Sequence, residues 1–189
     1  MLHRYSLVLL LGLCAAPAGL RATVLVPAEF REVVNGSDII AYGRVVDVTA
    51  EWSADRKRID TLVTLQVGTY LKGGPGDTIV FRVPGGQIGR YRNVLVGAPT
   101  FEAGDEAVVF LKAGGDEAAS IFGLNQGLFR VRFDERSHRR LVVPPAVMAR
   151  ADSPEAVVRG SAVRTSVPLE TFGAQVRTVM VEAAVRSDR

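Results

Sequence analysis

Two stretches of the chain, residues 39–49 and 59–71, carry valine, isoleucine, threonine and tyrosine in a period of two, with Ile59, Val63, Leu65, Val67 and Leu71 on one side of the second. Such alternation puts successive side chains on opposite faces, so both stretches predict long, half-buried strands. The charged residues 51–58, with Trp52 among them, predict a hairpin connection. Gly43 and Gly68 interrupt the two strands. A strand glycine marks a bulge or a barrel bend, or is simply tolerated, and pattern leaves these open. A turn at 73–77 leads into 78–83, where Ile79, Phe81 and Val83 alternate with Thr78, Val80 and Arg82 until Pro84-Gly85-Gly86 stops the strand. Residues 88–96 are more polar and predict a strand or an ordered loop, whereas 107–111 form a continuous apolar run of buried-strand type.

Further along, Phe129, Val131 and Phe133 alternate with Arg130 and Arg132, and a polar turn at 134–140 delivers Leu141 to a second short strand. That is a hairpin signal. Pro144-Pro145 ends the β region, and residues 144–167 lack a period, which predicts a wrapping loop. Two helices complete the pattern. Residues 27–34 open with a proline suited to a first helical turn, carry Phe30, Val33 and Val34 at helical spacing and stop at Asn35-Gly36. From Leu169 to about residue 184, an apolar stripe of Leu169, Phe172, Val176, Val179, Met180 and Ala183 predicts an amphipathic helix whose polar side mixes Glu170, Arg177 and Glu182. The expectation is a mostly β protein with a five- to seven-strand barrel, a short N-terminal helix and a C-terminal amphipathic helix.

Composition changes this picture at the N-terminus. Residues 1–22 combine Arg4, an apolar stretch at 7–13 and small residues before Ala18 and Ala22, the pattern of a secretory signal peptide. Its cleavage would leave a single domain over 23–189, without a transmembrane segment and without cysteine, because Cys14 is the only one in the chain. The barrel would then stand on its core alone, with no disulfide to staple it. Loss of Arg4 and Arg21 leaves 21 basic against 20 acidic residues, a near balance that argues against nucleic acid as partner. Only Lys57, Lys72 and Lys112 among 23 basic residues are lysine, a bias read as that of a GC-rich bacterial genome. An exported protein, periplasmic or extracellular, is expected.

In order and spacing, four segments, SDIIAYGRV at 37–45, LQVGTYLKG at 65–73, TIVFRVPGG at 78–86 and FEAGDEAVVFL at 101–111, resemble the netrin-like domain, the OB-type barrel of tissue inhibitors of metalloproteinases. They also resemble bacterial exported proteins of that pattern, some of which carry it beside a matrixin-type protease domain. The resemblance implies an OB-like barrel. It also implies, for cleavage after Ala22, that the amine and carbonyl of Thr23 stand where the inhibitors present theirs to a protease zinc. The inhibitors begin with a disulfide-bonded cysteine, and this chain departs from them there.

Candidate chemistry is sparse. His138, in a charged turn, has no cysteine beside it, so no metal is expected, and no cofactor motif is present. G-x-S-x-G and H-E-x-x-H are absent, and residues 85–89 follow a strand without leading into a helix, so they are a turn rather than a phosphate loop. Asp38, Asp47, Asp60 and Glu102 are the carboxylates that a hydrolase would have to bring together. Arg90, Tyr91 and Arg92, with Arg82, Arg130 and Arg132, form either a basic, aromatic face of the sort OB barrels use for polymers or a solvated strand face. The expected function is an exported, non-enzymatic binding module for a protein or a cell-envelope polysaccharide. A protease inhibitor and a hydrolase are the alternatives.

Overall fold

A computed structural model describes residues 27–74, 76–115, 117–145 and 165–187. The predicted leader, Cys14, Thr23 and most of the predicted wrapping loop lie outside them. The described chain is mostly β. Helix α1 (Phe30–Asn35) precedes strands β1 (Ile39–Trp52), β2 (Ile59–Lys72), β3 (Thr78–Pro84), β4 (Gly86–Ile88) and β5 (Tyr91–Asn93). Strands β6 (Glu106–Gly114), β7 (Glu117–Ile121), β8 (Leu128–Asp134), β9 (Arg139–Val143) and β10 (Val167–Pro168) follow, and helix α2 (Leu169–Ser187) ends the description.

Eight strands form one sheet in the order β1-β2-β3-β7-β6-β8-β9-β10, and β6 also pairs with β1, so the pairings from β1 through β2, β3, β7 and β6 lead back to β1. The β3–β7 pair is parallel, and the other pairs are antiparallel. Two apolar clusters lie on the two sides of this arrangement. Ala41, Val45, Val63, Leu65, Ile79 and Phe81 belong to the first, whereas Val33, Val34, Ile40, Phe129, Phe172 and Val176 belong to the second, beneath the helices. Strand β6 explains its unbroken apolar run: Ala107, Val109 and Leu111 enter the first cluster while Val108 and Phe110 enter the second. Both faces are buried, so alternation has nothing polar to show.

The two strand glycines mark one bulge. Tyr42 faces Thr69 and Gly43 faces Val67, so Gly68 is the residue skipped in the β1–β2 register. A Cβ on Gly43 would lie 2.3 Å from the Gln66 carbonyl oxygen, a distance no side chain tolerates. An extra residue reverses which side chains face in. Val67 and Tyr70 therefore pack on the first cluster and Leu71 on the second, which corrects the single face expected for 59–71. The same happens in β1, where Val46 is skipped between the Val45–Leu65 and Asp47–Thr64 pairs and Val48 takes the inward side.

Both predicted helices are present, but α1 starts at Phe30 with Glu29 as its N-cap, so Pro27 precedes the helix and does not open its first turn. In α1 the Glu32 carboxylate accepts the Glu29 N–H at 2.9 Å, and Val33 and Val34 are fully buried. In α2, Leu169, Phe172, Val176, Val179 and Met180 of the predicted stripe pack on the second cluster, with Phe172 ring centroids 4.9 Å from Phe129 and 5.5 Å from Phe30. Three features were not anticipated. Strand β7 has a weak pattern, EAASI, and owes its place to pairing with β6 and β3. Val167, expected in the wrapping loop, pairs with Val142 instead. The polar stretch after β3 forms a separate two-stranded sheet, β4–β5.

Candidate functional site: a pinned arm

The β4–β5 hairpin carries the three residues singled out from sequence. Its register is Gly86 with Asn93, Gln87 with Arg92 and Ile88 with Tyr91, turning at Gly89, whose φ is +57°, and Arg90. Glycine suits that left-handed position because it lacks a Cβ. Backbone and side chain fix the base of the arm to β2: Gly85 N–H donates to the Ile59 carbonyl at 3.1 Å, and Thr61 Oγ1 donates to the Gly85 carbonyl at 2.7 Å. A ring contact fixes its middle. Trp52, the last residue of β1, meets the Tyr91 ring edge-on with centroids 5.6 Å apart.

Beyond those anchors the arm is exposed. The Arg90 guanidinium carbon lies 5.1 Å from the Tyr91 ring centroid, and Nη2 donates to Tyr91 Oη at 3.1 Å. Arg90 and Arg92 form no ion pair among the described residues, and neither does Arg56 in the turn that follows Trp52. The chain then leaves β5 through Val94, Leu95 and Val96, which are 65%, 48% and 91% exposed. This is no loose end, since Ala98 N–H donates to the Leu95 carbonyl at 3.0 Å and Gly97 takes φ +90° to close the turn. A cavity of about 300 Å³ under the arm is lined by Thr61, Gln87, Arg92, Asn93, Leu95 and Phe101, among others.

The other arginines of the predicted face are engaged elsewhere, apart from Arg132. Arg82 sits between two carboxylates, with Nη2 3.2 Å from Glu51 and Nη1 3.4 Å from Asp60. Asp60, whose side chain is only 3% exposed, also accepts from Arg58 Nε at 3.2 Å. Arg130 donates to Asp105 at 2.7 Å and to the Thr100 carbonyl, and stacks over Phe101. Arg132 is exposed and lines, with Thr100 and Arg130, cavities of about 330 and 370 Å³. The expected single face is therefore divided: two arginines are bound into the sheet wall, and Arg90 and Arg92 stand on the arm.

The four candidate carboxylates share no partner. Asp38 accepts the Ala113 N–H, Asp47 accepts from Thr49, Asp60 lies under its arginines, and Glu102 offers its backbone N–H to Asp105. The most connected carboxylate is one not singled out, Glu106, which accepts from Tyr42 Oη at 2.7 Å and Arg140 Nε at 2.9 Å and pairs with Arg44 at 2.6 Å. Burial of Glu106 by itself raises its pKa, but the hydrogen bonds from Tyr42 and Arg140 and the charges of Arg140 and Arg44 outweigh it, and the net direction is down. Burial, with the hydrogen bond to Glu106, pushes the Tyr42 phenol up to about 12. This cluster ties β1, β6 and β9 together and reads as structural. No group of three or more histidine, cysteine, aspartate and glutamate side chains among the described residues is placed to hold a metal ion. His138 lies in the β8–β9 turn at φ +50°, with its ring 6.3 Å from that of Phe133.

Sequence reasoning missed the exposure of Val94, Leu95 and Val96, because it took residues 88–96 as a single, more polar stretch, a strand or an ordered loop, and did not single out its apolar end. No helix among the described residues is long and apolar enough to cross a membrane. Comparison with family models, curated proteins and solved structures finds no match to the chain.

Proposed function

We propose that this chain is an exported, non-enzymatic binding module: an OB-type barrel that presents its ligand surface on the β4–β5 arm. For the barrel, the support is the run of pairings from β1 through β2, β3, β7 and β6 back to β1, with β3 and β7 parallel. Closing a five-stranded path in this way removes free edges from the strands that hold the first apolar cluster. For the function, one observation carries the reading. The arm is held at its base by two hydrogen bonds and in its middle by a ring contact, yet Arg90, Tyr91 and Arg92 are exposed, and both arginines lack a carboxylate partner among the described residues. Residues held in position without serving the core suit recognition rather than stability.

Charge reversal tests it. The Arg90→Glu/Arg92→Glu double variant should lose at least tenfold in retention on a bacterial cell-envelope preparation, while its melting temperature stays within about 2 °C of the parent, as expected for surface substitutions. Unchanged retention would remove the arm from function. For the hydrolase alternative, Asp38, Asp47 and Asp60 have separate partners, whereas Glu102 lines the cavity of about 330 Å³ together with Asp105 and Glu106, two carboxylates that are paired with Arg130 and with Arg44 and Arg140.

A further inference from the structure

We propose that the outer side of helix α2 is a self-association seam, through which two copies of this chain pair with their α2 helices parallel and in register. The helix is apolar on two sides. Leu169, Phe172, Val176 and Met180 serve the second cluster, whereas Thr171, Ala174, Thr178, Val181 and Val185 are all exposed, Val181 at 63% and Val185 at 53%. At about 100° per residue, the exposed five fall within about 80° of one another and face away from Phe172 and Val176. Their steps of three, four, three and four residues follow the a and d positions of a paired helix. The Thr178 hydroxyl does not interrupt this seam, because Oγ1 donates to the Ala174 carbonyl at 3.1 Å within the helix.

Charge complementarity identifies the occupant as a second copy and sets its direction. With those five residues at a and d, Arg177 takes a g position and Glu182 the e position five residues later. Parallel helices in register set that g residue of one against that e residue of the other, so Arg177 meets Glu182 of the second copy, and two-fold symmetry makes the contact twice. Within one copy both groups have capacity for it. Arg177 forms no ion pair among the described residues, and no acid stands three or four positions from it on the helix. Glu182 accepts from Arg31 through Oε2 at 2.7 Å, which leaves Oε1 open. The seam from Thr171 to Val185 is only about 21 Å long, so the pair forms reversibly rather than permanently.

Analytical ultracentrifugation tests the seam. The mass of the protein should rise from one chain toward two across the micromolar to millimolar range. Val181→Asp/Val185→Asp should weaken the association at least tenfold, with the melting temperature of the dilute protein unchanged because both positions are exposed. Arg177→Glu and Glu182→Arg should each weaken it about fivefold alone, since each sets like charges together twice. Their equimolar mixture restores opposite charges at both contacts and should recover the association of the parent. Direction is read by oxidation of Val185→Cys in a Cys14→Ser background, where the introduced thiol is the only one. Parallel helices bring the two thiols together and should cross-link. A single-chain mass at every concentration, or a pair that Val181→Asp/Val185→Asp leaves intact, overturns the inference. A pair that fails to cross-link through Val185→Cys, or a mixture no stronger than its components, overturns the parallel arrangement.

Discussion

Arg82 and Arg92 are ten residues apart and lead different lives. Arg82 projects from β3 between Glu51 and the buried Asp60, two carboxylates that stand opposite each other in the β1–β2 register. Arg92 projects from β5 with no ion pair among the described residues and a cavity at its side. Both belong to short segments after a turn, both alternate with less polar neighbours, and the sequence pattern puts them on one face. What separates them is non-local. The partners of Arg82 arrive from strands about 20 and 30 residues earlier in the chain, and a pattern of neighbours along the chain does not show which strands will pair. The lesson is that a basic face has to be sorted by what already neutralises it before its arginines are assigned to a ligand.

The largest expected break in that contrast is Arg82→Met. It leaves Asp60, 3% exposed, with Arg58 as its one cationic partner, and Arg58 is mostly in water. A buried charge stripped of a partner costs more than the pair contributed, so the variant should lose about 2–3 kcal/mol in urea unfolding. Replacing both sides, Asp60→Leu with Arg82→Met, should recover at least half of that loss, since no charge is then left buried. A loss under about 0.5 kcal/mol for Arg82→Met would place Arg82 with the arm residues, because that is the range of ordinary surface substitutions.

Next in size is the Glu106 cluster, which contrasts with the arm through pH. Its folded pKa lies below the ordinary glutamate value, so its contribution to stability is complete above the unfolded pKa, about 4.3, and is lost as pH falls through the lower folded value. Glu106→Gln should be about 1–2 kcal/mol less stable than the parent at pH 7, because the glutamine keeps an acceptor for Tyr42 and Arg140 but not the charge. The gap should close as both proteins are unfolded at successively lower pH below about 4. A constant gap from pH 7 to pH 2 would mean that the charge of Glu106 is not what holds β1, β6 and β9 together.

Much of the sheet was legible because period-two alternation survives wherever one face is buried and one is not. β3 keeps its alternation, with Ile79, Phe81 and Val83 buried and Thr78 and Val80 exposed. The same rule misplaced Leu71, since the bulge at Gly68 shifts parity and a glycine announces the possibility of a bulge without its direction. β7 was invisible because two alanines and a serine carry little hydrophobic signal, and pairing on both sides supplies what the residues do not. For the arm, Arg90, Tyr91 and Arg92 stood out by chemistry, whereas Val94 to Val96 did not. Exposure of an apolar residue is decided by the rest of the fold, and here Val94, Leu95 and Val96 belong to neither cluster.

The smallest expected effect sharpens the contrast most, because it asks what holds the arm. Tyr91 contributes one edge-on ring contact to Trp52 and a ring beneath Arg90, and is half exposed. Such a contact is worth about 0.5–1.5 kcal/mol, so Tyr91→Ser should cost about 0.5–1 kcal/mol in global stability. The base of the arm does not depend on it, since Gly85 is bonded to Ile59 and Thr61. Hydrogen exchange should therefore stay slow at the Gly85 amide while quickening at Arg92 and Asn93, and Trp52 emission should move to the red as its ring gains water. If the Gly85 amide quickens as well, the ring contact is the anchor and the hydrogen bonds follow from it. Arg90 and Arg92 would then be presented by Trp52 rather than by the end of β2.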